Sequence, residues 1–150
     1  QMTLAGATYL NRSGFDSLAI PASQSSDSDP FRGAFSHKTG ARLSGAGFIG
    51  KNALFISRDF GSKVRLASIL TAKDFDFSGE LCAENCGGCT VCMKACSAGA
   101  IYGVNYTEGI DVKDMVDVGK CSAHMKSAYK DIGRGAVCGI CIGICPRNGL

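Results

Sequence analysis

The chain has 150 residues, of which 45% are hydrophobic and 19% charged, and its formal net charge at pH 7 is +3. That size and composition suit one globular domain, or two small ones that share a core. The 16 Lys and Arg residues are scattered along the chain, so the charge gives no support for nucleic-acid binding. The longest uncharged run near the C-terminal end, residues 136–145, is far too short to cross a bilayer. We therefore expect neither a membrane nor a nucleic-acid partner.

Nine cysteines must be explained, and an odd number cannot all pair as disulfides within one chain. Residues 1–10 lack the basic stretch and apolar run of a secretory leader. A reducing cytoplasm is the natural interpretation, and clustered cysteines in that compartment usually bind metal.

The first 43 residues alternate helix and strand signals. Thr3 is predicted to cap a helix that runs to Leu10, Gly14 ends it, and residues 15–20 are predicted to form a strand. Residues 21–30 are small and polar, which is typical of a loop, and residues 37–43 predict a second helix. This opening is typical of the middle of an α/β unit, so we expect part of the domain to precede Gln1.

A glycine-rich stretch, SGAGFIGKN, follows the second predicted helix. Its glycines Gly45, Gly47 and Gly50 match G-x-G-x-x-G, but that motif needs a strand before it and a helix after it. Here the order is reversed. Two interpretations stay open: a tight turn with close packing, or a backbone that approaches a large flat cofactor.

The β-prone residues 53–57 and 64–70 follow the glycines, and the turn residues between them predict a hairpin. Further along, apolar residues at helical spacing from Cys121 to Ile132 predict a helix that Gly133 ends. Candidate contacts with a cofactor or partner are Lys51, Asn52, Tyr102 and Tyr106, although packing is the simpler interpretation for the tyrosines.

Two cysteine runs dominate the C-terminal half. The first, CGGCTVCMKAC, has the spacing C-x2-C-x2-C-x3-C, and the second, CGICIGICP, has C-x2-C-x3-C. The runs comprise Cys86, Cys89, Cys92 and Cys96, and then Cys138, Cys141 and Cys145. Short C-x2-C spacing lets a loop wrap one iron–sulfur cubane, while the cysteine three residues further on ligates the other cluster, as in two-cluster ferredoxins. The runs therefore predict two [4Fe-4S] clusters with interleaved ligands.

This logic assigns most of the ligands. One cluster takes Cys86, Cys89, Cys92 and Cys145. The other takes Cys96, Cys138 and Cys141 and is one ligand short. A symmetric ferredoxin would supply the missing ligand from position 135, which is Gly135, so Cys121 is predicted to replace it. Cys82 is left over and is interpreted as a free or half-buried thiol.

Zinc is the alternative metal. It needs four ligands, commonly two C-x2-C pairs or cysteine with histidine, and the chain offers only His37 and His124 besides cysteine. Such a site does not need three cysteines at successive x2 spacings followed by a fourth at x3. The pattern favours iron–sulfur clusters over zinc.

The segments HKTGARLSGAGFIGKNALFI, GSKVRLASILT, CGGCTVCMKACSAGAI and CGICIGICPRNG resemble the epoxyqueuosine reductase family, in the same order and spacing. The resemblance implies a cobalamin-binding α/β domain, distantly like nitroreductases, fused to a two-cluster ferredoxin-like domain. We therefore expect an α+β fold, with a partial α/β cofactor-binding segment at residues 1–78 and the double 4Fe-4S domain at residues 79–150. The family also uses a cysteine upstream of its second run as a ligand, which supports Cys121.

The resemblance also implies a function. The clusters would pass electrons to a corrinoid contacted by Gly45, Gly47, Gly50 and Lys51, and would receive them from a ferredoxin- or flavodoxin-type donor protein. Asp16 does not align with the catalytic acid of the tRNA-modifying members, so we expect a substrate other than epoxyqueuosine. The alternative functions are a stand-alone ferredoxin-type electron carrier without its own catalysis and a regulatory cluster protein.

Overall fold

The computed structural model describes residues 1–21, 31–76, 79–133 and 137–148. The N-terminal half contains helices α1 (Met2–Arg12) and α2 (His37–Leu43) and strands β1 (Ser17–Ile20), β2 (Gly47–Ile49), β3 (Phe55–Ser57) and β4 (Ser68–Thr71). The C-terminal half contains α3 (Val91–Ala95), a 3₁₀ turn (Val112–Asp114), α4 (Val118–Ala128) and α5 (Ile140–Gly143). The predicted loop at residues 21–30 lies almost wholly outside the described residues, as does Gly135.

The first helix and strand form much as predicted, with different ends. Gln1 rather than Thr3 stands at the N-cap of α1, so Thr3 lies within the helix. Gly14 follows the helix with φ of +87°, a conformation that glycine adopts without strain. The side-chain amide of Asn11 then binds both the N–H and the carbonyl of Ser17, at 2.9 and 2.8 Å. Because Asn11 holds that residue, the turn extends to position 16 and the strand begins only at Ser17.

The predicted hairpin between residues 53–57 and 64–70 is wrong. Strand β3 pairs antiparallel with β2, which lies in the glycine stretch, and β4 pairs antiparallel with β1. A tight turn joins β2 to β3, with the Gly50 N–H donating to the Leu54 carbonyl at 2.8 Å. Strand propensity indicates that a strand forms but not which strand it pairs with. We call residues 47–57 the glycine hairpin.

Helix α2 matches its predicted bounds and connects the two small sheets. Ser36 caps it by accepting a hydrogen bond from the Thr39 N–H at 3.3 Å. Lys38 Nζ donates to the carbonyl of Ala53 in the glycine hairpin at 2.8 Å. His37 Nδ1 lies 2.8 Å from the Ser68 hydroxyl at the start of β4. His37 therefore has a structural role, and this hydrogen bond does not involve a predicted metal ligand.

Two clusters of buried side chains lie on opposite faces of the glycine hairpin. One contains Phe48, Ile56 and Cys82. The other contains Ile49, Ala53, Ala100, Ile101, Met115 and Val116. Neighbouring side chains on a strand point to opposite faces, so Phe48 joins one cluster and Ile49 the other. The hairpin is thus buried on both sides, which its short apolar sequence alone does not reveal.

The layer formed by α1, β1 and β4 is less buried than the hairpin. Among its described residues only Ala7 falls in the buried class. Leu18 and Leu70 are directly opposite each other across the two strands and are 62% and 47% exposed. The predicted boundary between residues 78 and 79 stays a prediction, since the hairpin shares its buried clusters with the cysteine-rich half.

Within the described residues, no helix combines the length and the apolar character needed to cross a membrane.

Candidate metal centre

The first cysteine run folds as a turn that leads into α3. The Cys89 N–H donates to the Cys86 carbonyl at 3.0 Å, and Gly87 between them has φ of +52°. The side chain of Asn85 accepts the Gly87 N–H at 2.7 Å and closes the start of the turn. Cys92 lies in α3, and Cys96 follows its last turn with extended backbone. The run therefore changes direction between Cys92 and Cys96, as interleaved ligation requires.

The second run forms α5, which packs against α3. Asn148 Oδ1 accepts a hydrogen bond from the Ser62 N–H at 2.9 Å. The Ser62 hydroxyl lies 2.9 Å from both Asn148 Oδ1 and the carbonyl of Ile142 in α5, and its single proton is donated to one of these two acceptors. Ser62 is 3% exposed, so this contact is a buried link between the two halves of the chain.

Four thiols, three from the first run and one from the second, lie near one another, and Cys92 among them packs against the buried cluster that contains Ile49. Burial raises the pKa of the Cys92 thiol, and the neighbouring thiols Cys86, Cys89 and Cys145 raise it further. Cys86 and Cys145 also pack against the cluster that contains Phe48. The structure thus brings Cys145 of the second run to three cysteines of the first. We call Cys86, Cys89, Cys92 and Cys145 the first thiol group.

Four other thiols form a second group. Burial raises the pKa of the Cys121 thiol, and Cys96 and Cys138 add to that effect. Cys121 lies in α4, whose N-terminus is capped by the side chain of Asp117. The pKa of the Cys141 thiol is also raised, chiefly by burial and also by Cys138, Cys92 and Cys121. We call Cys96, Cys121, Cys138 and Cys141 the second thiol group.

The number and kind of donor atoms in each thiol group can be compared with the ligands that a cubane needs. A [4Fe-4S] cluster takes four thiolates, one to each iron, whereas zinc draws its ligands to a single ion. Among the described residues, no group of three or more His, Cys, Asp or Glu side chains is arranged to hold a single metal ion. Each thiol group supplies four sulfurs and draws them from both runs. The donor set fits two cubanes, and the ligand roles stay predictions.

Cys82 differs from the other cysteines. It is 9% exposed and packs with Phe48 and Ile56, next to the first thiol group. Arg58 Nε donates a hydrogen bond to the Cys82 sulfur at 3.4 Å. The thiol is buried rather than half-buried, and it has a cationic partner that no sequence signal indicated. Its predicted status as a thiol that binds no cluster stays a prediction.

The glycines of the glycine-rich stretch pack against the chain itself. An added Cβ at Gly47 would collide with the carbonyl oxygen of Ile56, and one at Gly45 with the carbonyl oxygen of Glu80. One at Gly50 would lie 2.6 Å from the Cδ1 atom of Ile56. Close packing is thus a sufficient reason for these glycines, and the cobalamin interpretation rests on the family resemblance alone.

The other predicted cofactor contacts differ in their exposure to solvent. Lys51 is 5% exposed and Asn52 is 7% exposed, so both are buried in the turn of the hairpin. Asn52 Nδ2 donates to the Cys141 carbonyl at 3.5 Å. Tyr106 lies under the guanidinium of Arg42, with 5.0 Å from Arg42 Cζ to the ring centroid, and packs against a buried cluster. Tyr102 is 51% exposed.

Comparison with known proteins gives a consistent result. Residues 85–148 match the family model of the 4Fe-4S double cluster binding domain. An epoxyqueuosine reductase of Synechocystis sp. is 33% identical over 128 residues, which cover 77% of this chain and 40% of that protein. One of Gloeobacter violaceus is 32% identical over 127 residues, which cover 77% of this chain and 37% of that protein. The chain therefore spans about 40% of the length of these relatives.

The fold also has solved counterparts. The structure of epoxyqueuosine reductase from Streptococcus thermophilus superposes with a TM-score of 0.59 at 25% identity, covering 97% of this chain and 36% of that one. A selenomethionine-labelled epoxyqueuosine reductase gives a TM-score of 0.63 at 23% identity, covering 98% of this chain and 37% of that one. The chain is therefore a relative of the epoxyqueuosine reductases and carries a double 4Fe-4S cluster binding domain.

Proposed function

We propose that the two [4Fe-4S] clusters of this chain transfer electrons within an epoxyqueuosine reductase-like oxidoreductase. The observation that carries the proposal is the gathering of eight cysteines into two groups of four, each with members from both runs. The first thiol group is assigned to one cluster and the second to the other. When bound, such clusters supply one-electron redox chemistry at potentials that the surrounding protein adjusts.

The chain's own residues hold the two sites close to each other. Cys92 of the first thiol group and Cys141 of the second are near enough for their thiols to interact electrostatically. An electron that moves between the sites therefore has a short path. The raised pKa values of Cys92, Cys121 and Cys141 mean that these thiols carry protons before a cluster binds. Ligation must displace those protons, because thiolates are the ligands.

The test of this proposal is metal content. Protein made and purified without oxygen is expected to hold about eight irons and about eight labile sulfides per chain. Its broad visible absorbance is expected to bleach when dithionite is added. Zinc at one or more atoms per chain, with iron absent, would overturn the proposal.

The redox partners in this proposal are a donor protein of the ferredoxin or flavodoxin type and a corrinoid. The corrinoid contacts are assigned to Gly45, Gly47, Gly50 and Lys51, on the support of the family resemblance. One solved relative is an epoxyqueuosine reductase with an epoxyqueuosine-modified tRNA stem loop. Epoxyqueuosine is not the proposed substrate of this chain, because Asp16 does not align with the catalytic acid of the tRNA-modifying members.

A second candidate is a stand-alone ferredoxin-type electron carrier. It is favoured by the packing of Gly45 and Gly47 against carbonyl oxygens of the chain and of Gly50 against the Ile56 side chain, which explains these glycines without a cofactor. Titrating the anaerobic protein with cobalamin distinguishes the candidates. A shift in the corrinoid spectrum supports the reductase proposal, and an unchanged spectrum supports the carrier.

A further inference from the structure

The turn that follows β3 presents an aromatic ring to solvent. Phe60 in this turn is 73% exposed. The Ser57 N–H donates to the Gly61 carbonyl at 2.8 Å, and the Gly61 N–H donates back to the Ser57 carbonyl at 3.1 Å. The Ser57 hydroxyl oxygen also accepts hydrogen bonds from the Asp59 and Phe60 N–H groups, each at 3.3 Å. Because these bonds close the turn, the ring is held in a defined position on the surface.

The same turn lies next to the first thiol group. An added Cβ at Gly61 would collide with the carbonyl oxygen of Arg147, so the turn touches the segment that directly follows Cys145. At the other end of the turn, Arg58 Nε donates to the Cys82 sulfur at 3.4 Å. The buried cluster that contains Cys82 packs against Cys145. The exposed ring is therefore close to a predicted ligand of the first cluster.

Cations flank the exposed ring on both sides along the chain. Arg58 precedes Phe60 and is exposed. Lys63 and Arg65 follow it, and both face solvent because side-chain exposure alternates along residues 63–67. The Cα atoms of Phe60 and Lys63 lie within about 11 Å of each other, since three residues of chain span no more than that. Residues 57–67 carry these three cations against one carboxylate, Asp59, so this surface is positively charged.

An exposed aromatic ring among cations suits a protein partner with an acidic surface. Aromatic residues and arginine are enriched among the residues that contribute most to protein interfaces, and exposed charges steer a partner of opposite sign. The small surface suits a transient contact, since electron-transfer encounters bury less than about 1,200 Å². RNA is less favoured, because phosphate binding requires a larger cluster or stripe of cations than these three.

We propose that residues 58–65, which we call the Phe60 surface, bind an acidic electron-carrier protein that reduces the cluster of the first thiol group. This inference rests on the proposed electron-transfer function and adds to it the docking surface and the charge of the donor. In the transfer step, the reduced carrier loses one electron and the oxidised cluster gains it. No bond is made or broken, and no proton is required.

The experiment uses the full chain, prepared without oxygen so that it carries its clusters. An acidic plant-type ferredoxin and an acidic flavodoxin serve as separate probes. Binding is measured by calorimetry, and cluster reduction by each reduced carrier is followed by stopped-flow absorbance. Phe60→Ala is expected to raise the Kd by about tenfold and to slow reduction. Lys63→Glu is expected to slow association, most strongly at low salt, because salt screens exposed charges.

Phe75→Ala is the matched control. Phe75 is 64% exposed and also lies beside a cation, with 5.8 Å from Lys73 Nζ to its ring centroid. Lys73 also contacts the ring of Phe15, so this site lies with the layer of α1, β1 and β4. The Phe75→Ala protein is expected to bind and accept electrons as the wild type does. All three variants are expected to keep the wild-type iron content and to bleach with dithionite.

Four results would overturn the inference. The first is unchanged binding and reduction in both Phe60→Ala and Lys63→Glu, and the second is wild-type protein that binds neither carrier at low salt. The third is loss of iron from both variants, which would assign the turn a structural role. The fourth is a tRNA stem loop that binds in place of the carriers and is weakened by both variants. Wild-type protein whose iron dithionite cannot reduce would instead show that the proposed function itself is wrong.

Discussion

Two thiols of the first group, Cys86 and Cys145, pack against the buried cluster of Phe48, Ile56 and Cys82, and Arg147 covers Phe48 with 5.5 Å from Arg147 Cζ to the ring centroid. Three thiols of the second group pack against the other buried cluster, as Cys92 of the first group also does, and the fourth, Cys138, is exposed. The two thiol groups thus have unequal surroundings. The difference arises because only the first group reaches the Phe48 face of the glycine hairpin. A repeated motif in a sequence therefore does not imply two equivalent redox sites.

The largest expected effect comes from removing the element that both groups share. Gly47→Ala places a Cβ against the Ile56 carbonyl, so β2 and β3 must separate. We expect a loss of about 3 kcal/mol in the free energy of unfolding and loss of iron from both groups. Denaturant unfolding and iron analysis measure the two effects.

Gly119→Ala in α4 is the control for that change, because its Cβ meets only an ordinary contact at 3.4 Å. Alanine also favours helix over glycine by about 1 kcal/mol, so this variant is expected to be as stable as the wild type or more so. Equal stability of Gly47→Ala and wild type would show that close packing does not explain the glycine.

A more selective effect is expected from Cys121. Replacing it with Ser removes the predicted fourth ligand of the second thiol group and leaves the first group intact. We expect roughly half the wild-type iron, or a three-iron species detectable by electron paramagnetic resonance. Cys82→Ser is the matched control and is expected to leave iron content and reducibility unchanged. Iron lost with Cys82 and retained without Cys121 would show that the interleaved ligand scheme is wrong.

The exposure of Cys138 predicts an order of cluster loss. When a chelator is added to the oxidised protein, the second-group cluster is expected to disappear first, because solvent reaches one of its ligands. The decay of the two signals over time measures this, with the Cys121→Ser protein as the reference for the first group. Simultaneous loss of both signals would contradict the idea that the two environments differ.

The smallest effect is expected at Ala53, which has φ of +56° and is 4% exposed in the turn of the hairpin. Ala53→Gly relieves about 1 kcal/mol of left-handed strain but loses a buried methyl group and gains unfolded-state entropy. The net change in unfolding free energy is expected to lie within about 1 kcal/mol. Ala100→Gly, at a fully buried position without positive φ, lacks the strain relief and is expected to cost more.

Local signals predicted some elements well. The bounds of α2 were confirmed, because Ser36 immediately before it supplies a cap. The helix that carries Cys121 was confirmed, but its predicted ends were wrong: it begins at Val118, where Asp117 caps it, and ends at Ala128, so Gly133 does not end it. Strand pairing was predicted wrongly, because β-prone residues indicate that a strand forms but not which strand it contacts. The partner of β3 proved to be β2, which lies in the stretch that its glycines had marked as a turn or a cofactor contact.

The sequence by itself determined the metal chemistry, since cysteine spacing limits which thiols one cubane can reach and the double-cluster family model matches the same residues. Only the tertiary structure decided the surroundings of the clusters. Asn52 meets Cys141 across 89 positions of sequence, and Arg58 meets Cys82 across 24. No local pattern encodes such contacts, because they depend on how the hairpin packs against the cysteine-rich half of the chain. Short-range spacing determines which thiols can share a cluster, and long-range packing determines which side chains surround them.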